Sequence, residues 1–150
     1  ASLVGFQTIS IVLIRDPKYI ERIDKWIGKL KNSFYREIKK SILVDVQLEL
    51  RKIGKDATLG NLEPISIDNN EVAVMAIFTA NSQEKANDSA KLLNPDLLHL
   101  PLRKNEPMPT FAFPFSPPEI DKGPLFEFCF HHVIEIDNPK DFFNLEFYNT

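Results

Sequence analysis

"GFQTISIVLIRDPKYIERIDKWIGKL" (5–30) holds a strand and a helix back to back. In 5–15, Ile9, Ile11 and Leu13 alternate onto one face, and Val12 and Ile14 onto the other. A strand apolar on both faces belongs inside a sheet. Asp16 then offers an oxygen to cap a helix, and Pro17 takes the first helical position, where no N–H is needed. Ile20, Ile23, Ile27, Leu30, Phe34 and Ile38 follow at spacings of three and four. They predict one amphipathic helix over 17–40, with Trp26 as a packing residue. Its lysines at 25, 29, 31, 39 and 40 mix with Glu21, Asp24 and Glu37 and read as a solvated face.

Outward from this unit, 43–52 alternates cleanly. Val44, Val46, Leu48 and Leu50 face in, and Asp45, Gln47, Glu49 and Arg51 face out, as at a sheet edge. Residues 54–70 carry two glycines and a proline and form a long connection. Residues 71–80 are a second strand apolar on both faces. Asn81 with Glu84 resembles a capping box for a helix over 82–93 that buries Ala86, Ala90 and Leu93, with Pro95 just past its end. Residues 94–124 contain eight of the eleven prolines yet stay apolar, so they predict an ordered arm with a short strand at 109–114. "LFEFCFHHVIEI" (125–136) reads as the last strand, and Asn138 and Pro139 start a terminal helical turn through Phe143. The order strand, helix, strand, strand, helix, strand predicts an α+β fold, a ferredoxin-like βαββαβ two-layer sandwich with a proline-rich insertion before the last strand. Its first and third strands should be central, and those are the two apolar on both faces.

The chain has 150 residues, which suits a single domain over 1–150. A net charge of −3 without a basic run argues against nucleic acid as a partner. No apolar run approaches the roughly 20 residues of a membrane span, so no membrane partner is expected. The lone Cys129 forms no internal disulfide, which suits a reducing, cytoplasmic setting.

Three further stretches carry a family likeness. "GKDATLGNLEP" (54–64), "LLHLPL" (97–102) with "FAFPFSPPEI" (111–120), and "GPLFEFCFHHVIEIDNP" (123–139) resemble the C-terminal part of acyclic terpene utilization (AtuA) family proteins, as does the opening strand and helix. The resemblance runs over nearly the whole chain and is most specific in the tail. The chain departs from it at "RKNEPMPT" (103–110), charged where small glycine-containing residues are expected. The resemblance implies a larger N-terminal domain as a partner in the same protein, and a setting in acyclic isoprenoid or acyl-CoA breakdown. It carries over no catalytic residue.

The candidate site residues come from the chain itself. On the last strand Glu127, Cys129 and His131 share one face, opposite Phe126, Phe128, Phe130 and His132. The phenylalanine face is expected to pack under the helices. Same-face neighbours lie about 6.7 Å apart, so Glu127 and His131 are about 13 Å apart along the strand. Zinc bonds are about 2.0–2.3 Å, so one ion could take Cys129 and His131 but hardly all three. His131 and His132 point apart. A third ligand would have to come from Asp96, His99 or Glu119, and no metal or other cofactor is expected. A catalytic Cys129–His131 pair is disfavoured, because nothing mid-strand lowers a thiol's pKa. Glu119 and Asp121 are candidate paired carboxylates, and Glu63 is a candidate binding-loop residue. His99, Glu119, Cys129 and His131 are therefore the weak catalytic candidates. "GKDATLG" lacks the ending of a phosphate-binding loop.

Two functions fit. One is a non-catalytic interaction, oligomerisation or lid domain. Helices can cover only one face of the sheet, so an apolar row is left for a partner, and a homo-oligomer is expected. The other is part of an enzyme's active site for acyl-CoA or isoprenoid intermediates. An arm folded over the open face, gathering His99, Glu119, Cys129 and His131 into one pocket, would favour the enzyme.

Overall fold

The computed structural model describes residues 1–41, 43, 45–62, 69–129, 135, 137, 138 and 140. Four strands, β1 (Ser2–Ile14), β2 (Gln47–Ile53), β3 (Val72–Ala80) and β4 (Ile120–Glu127), form one sheet in the order β2-β3-β1-β4. Every neighbouring pair is antiparallel. The two strands apolar on both faces, β1 and β3, are the central ones, as their pattern requires.

Three helices, α1 (Pro17–Glu21), α2 (Ile23–Ile38) and α3 (Gln83–His99), pack on the sheet. Asp16 caps α1 by accepting from the Lys18 N–H at 2.9 Å, with Pro17 at the first turn. The expected helix over 17–40 is broken at Arg22, whose φ of −112° and ψ of 28° leave the helical region. The offset turns Tyr19 toward the arm while Ile23, Trp26, Leu30 and Phe34 stay on the sheet. The second cap falls on Ser82, which accepts from Lys85 N–H, not on Asn81. α3 does not stop before Pro95 but runs through it to His99. The one bond that proline removes belongs to the carbonyl of Lys91, an exposed residue, where water can replace it.

The core lies between the helices and one sheet face. Val12, Ile14, Val74, Ala76 and Phe78 meet Trp26, Leu30, Phe34, Ala86, Ala90 and Leu93, all at most 1% exposed. On the other face Ile9, Ile11, Leu13, Ala73 and Met75 are half-buried and Ile77 is buried. That face is less bare than the strand pattern alone suggests.

The arm is shorter than 94–124, because its ends belong to α3 and β4. Its expected strand at 109–114 reduces to one bridge, in which Ala112 and Leu13 exchange backbone hydrogen bonds. It packs into the helix-side core through Leu102 and Phe111. Phe111 meets Tyr19 and Trp26 edge-on at 4.9 and 5.3 Å.

The last strand begins at Ile120, five residues before its predicted start. It tolerates Gly123, at φ 76°, and Pro124 because it is an edge strand with register shifts against β1. Phe126 and Phe128 are 57% and 73% exposed, so neither packs under the helices as expected. Phe128 and Cys129 lie past the end of β4. The rest of the predicted strand lies outside the described residues, except Glu135, and so do Val44, Phe142 and Phe143.

Candidate functional site

α3 carries Gln83, Asn87 and Asn94 on the face it turns to β1 and the arm, at spacings of four and seven that suit one helical stripe. β1 meets them with Thr8 and Ser10, both fully buried in the row that includes Val12 and Ile14. The result is a polar seam inside the core. Gln83 Nε2 reaches the Gln7 carbonyl at 3.0 Å, Thr8 Oγ1 at 2.7 Å and Asn87 Oδ1 at 3.1 Å. The Thr8 hydroxyl donates to Asn87 Oδ1. Lower down, Asn94 donates to Glu119 Oε1 at 2.6 Å. Ser10 Oγ, Gln83 Oε1 and Asn94 Oδ1 are buried without a hydrogen-bond partner among the described residues.

Among the described residues the predicted candidates His99, Glu119 and Cys129 stand in separate settings. His99 is exposed at the end of α3, and its Nδ1 lies 3.1 Å from the Pro109 carbonyl in the arm. Asp96 accepts from the Ser33 hydroxyl of α2 at 2.5 Å. Glu119 is occupied by Asn94, Asp121 is exposed, and Cys129 is an exposed free thiol. His131 and Glu63 lie outside the described residues. Among the described residues no group of three or more His, Cys, Asp or Glu could hold a metal ion.

Further polar contacts hold the arm. Trp26 Nε1 donates to the Leu100 carbonyl at 2.9 Å. Lys29, placed by sequence on a solvated face, reaches the carbonyls of Pro101 and Leu102 at 2.5 and 3.1 Å. The Leu102 N–H donates to the Tyr19 hydroxyl at 3.2 Å. Burial raises the Tyr19 hydroxyl's pKa above 10.0, and the Leu102 N–H opposes the shift.

The seam was not anticipated. Its signal was a pair of hydroxyl residues in the helix-facing row of β1, matched by amides at helical spacing on α3. Chemically it is made of hydroxyls and amides. Thr8 has Gln83 and Asn87 as neighbours, neither of them a base, so nothing there activates it as a nucleophile. A shallow cleft of about 230 Å³ lies elsewhere, lined by Leu13, Arg15, Asp16, Glu71 and the arm at 109–112. There too Asp16 is engaged, as the cap of α1.

Four of the exposed large apolar residues lie at or beside the paired ends of β1 and β4. Leu3 of β1 pairs in register with Phe126 of β4. Leu3, Val4, Phe126 and Phe128 are 53%, 47%, 57% and 73% exposed. Among the described residues no helix is long and apolar enough to cross a membrane. No family model matches the chain, and no curated protein or solved structure matches it.

Proposed function

We infer that the chain is a non-catalytic assembly module, of the ferredoxin-like type, in an AtuA-like protein. The sheet order β2-β3-β1-β4, with helical segments after β1 and β3, agrees with that fold type. The observation that carries the function is the cluster of Leu3, Val4, Phe126 and Phe128 at the joined ends of β1 and β4. Four large apolar side chains left about half or more exposed at the paired ends of two strands suit a surface that docks on another surface. The N-terminal domain implied by the family resemblance is the natural occupant. The scatter of His99, Glu119 and Cys129 supports the same reading, because two of them are engaged in holding the arm.

The test pairs two measurements on the intact protein. Sedimentation is expected to reveal association, and calorimetric titration with acyl-CoA thioesters is expected to give no stoichiometric binding. A thioester bound one to one, and lost on His99→Ala or Glu119→Gln, would replace this reading with an enzymatic one.

A further inference from the structure

The outer side of β2 is patterned to pair with a copy of itself. Leu48 N–H points away from β3, toward the Tyr35 hydroxyl at 3.4 Å. Antiparallel ladders alternate, so Leu50 and Lys52 also turn their backbone groups outward while Glu49 and Arg51 bond to β3. A two-fold axis at Leu50 sets Leu50 against its own copy and Leu48 against Lys52. Those hydrogen-bonded pairs use groups that already point outward. The same axis places Glu49 of each copy opposite Arg51 of the other, in the closely spaced non-hydrogen-bonded position.

The charge pattern fits no other centred register of this strand as well. Moving the axis by one residue, onto Glu49 or Arg51, still pairs the outward backbone groups but sets like charges against each other. Within one copy Glu49 and Arg51 form an ion pair at 2.7 Å with both side chains more than half exposed, so both charges are free to take a second partner. Lys31 of α2 also acts on Glu49. The two sheet edges differ. β4 carries Gly123, Pro124 and two register shifts, devices that blunt an edge. β2 has no proline, glycine or shift between Gln47 and Ile53. Among the described residues Tyr35 engages a single outward N–H of this edge, which the charged Glu49, Arg51 and Lys52 also line.

We propose that the chain forms a two-fold homodimer by antiparallel pairing of β2 with β2 about Leu50, joining both sheets into one. This rests on the reading of the chain as an assembly module and names its partner as a second copy. It leaves the apolar end of β1 and β4 free for the other domain.

Sedimentation of the full chain over a concentration series tests it. The mass should rise from 17.2 kDa toward twice that value. Glu49→Arg sets arginine against arginine and should weaken association about tenfold or more. Adding Arg51→Glu restores opposite charges and should restore the dimer. Tyr35→Phe releases Leu48 N–H and should tighten it. Circular dichroism of each variant confirms the fold, since these side chains are exposed. A monomer at every concentration, a dimer indifferent to Glu49→Arg, or a charge swap that fails to rescue would each overturn the inference. Association lost with Phe126→Ser but not with Glu49→Arg would overturn it too, while leaving the assembly reading intact. Stoichiometric thioester binding would instead remove that reading.

Discussion

Phe128 and Phe78 are the same side chain in opposite situations. Phe78 is fully buried against Phe34, with ring centroids 5.7 Å apart, and Phe128 is 73% exposed. Phe78→Ala should therefore cost about 3–5 kcal/mol in a denaturant titration. Phe128→Ala should stay within about 0.5 kcal/mol of the parent. Ser10 is a different case, because its hydroxyl is buried without a partner among the described residues. Ser10→Ala removes a desolvated group, so the same titration should show a gain of about 1 kcal/mol. The alternation placed Phe126 and Glu127 on opposite faces, and both are exposed. That neither Phe126 nor Glu127 meets the core was not legible. That depends on how a shifted edge strand lies against β1, and alternation carries no information about it.

The elements themselves were readable wherever one physical signal dominated. Two-faced apolar strands marked the sheet centre, and the Asp16–Pro17 pair marked a helix start. Boundaries failed where tertiary contacts overrode local preference. α3 continues through Pro95 because, past it, Asp96 bonds to Ser33 and Leu97 packs in the core. Two glycines test the elements from opposite sides. Gly28 sits in α2 with open space where a Cβ would go, so Gly28→Ala should stabilise by about 0.5–1 kcal/mol through backbone entropy. A Cβ on Gly5 would stand 2.6 Å from the Ala80 carbonyl oxygen of the next strand. Gly5→Ala must push β1 off β3 and should cost about 1–3 kcal/mol. Thermal melts of the two variants should move in opposite directions.

At the scale of the molecule, Tyr19 is where α1, α2 and the arm meet. Its ring contacts Trp26 and Phe111, and its hydroxyl accepts from Leu102. Burial raises its pKa above 10.0. A raised folded pKa means that the stabilisation is complete below the unfolded value near 10 and is lost as pH rises through the folded value. Alkaline titration, followed by ultraviolet absorbance and circular dichroism together, should show unfolding that accompanies a late tyrosine ionisation. Tyr19→Phe should remove that late step. The sequence named His99 and Glu119 as notable but did not reveal the contacts they make between α3 and the arm. Their side chains fasten a proline-rich segment to α3, and only the tertiary course of that segment reveals it.

β1 also sets the order in which the chain can be completed. It pairs with β3 up to Ala80 and with β4 up to Glu127, so its neighbours emerge from the ribosome long after it does. Until Ile120 is made, a central strand of the sheet has an open flank along Ser2–Ile9. A nascent chain stalled in the arm would present that flank to other chains. Contacts this distant in sequence also slow folding. The strand that organises the finished molecule is thus its chief liability during synthesis, and a holdase chaperone should be needed most while the arm is being translated.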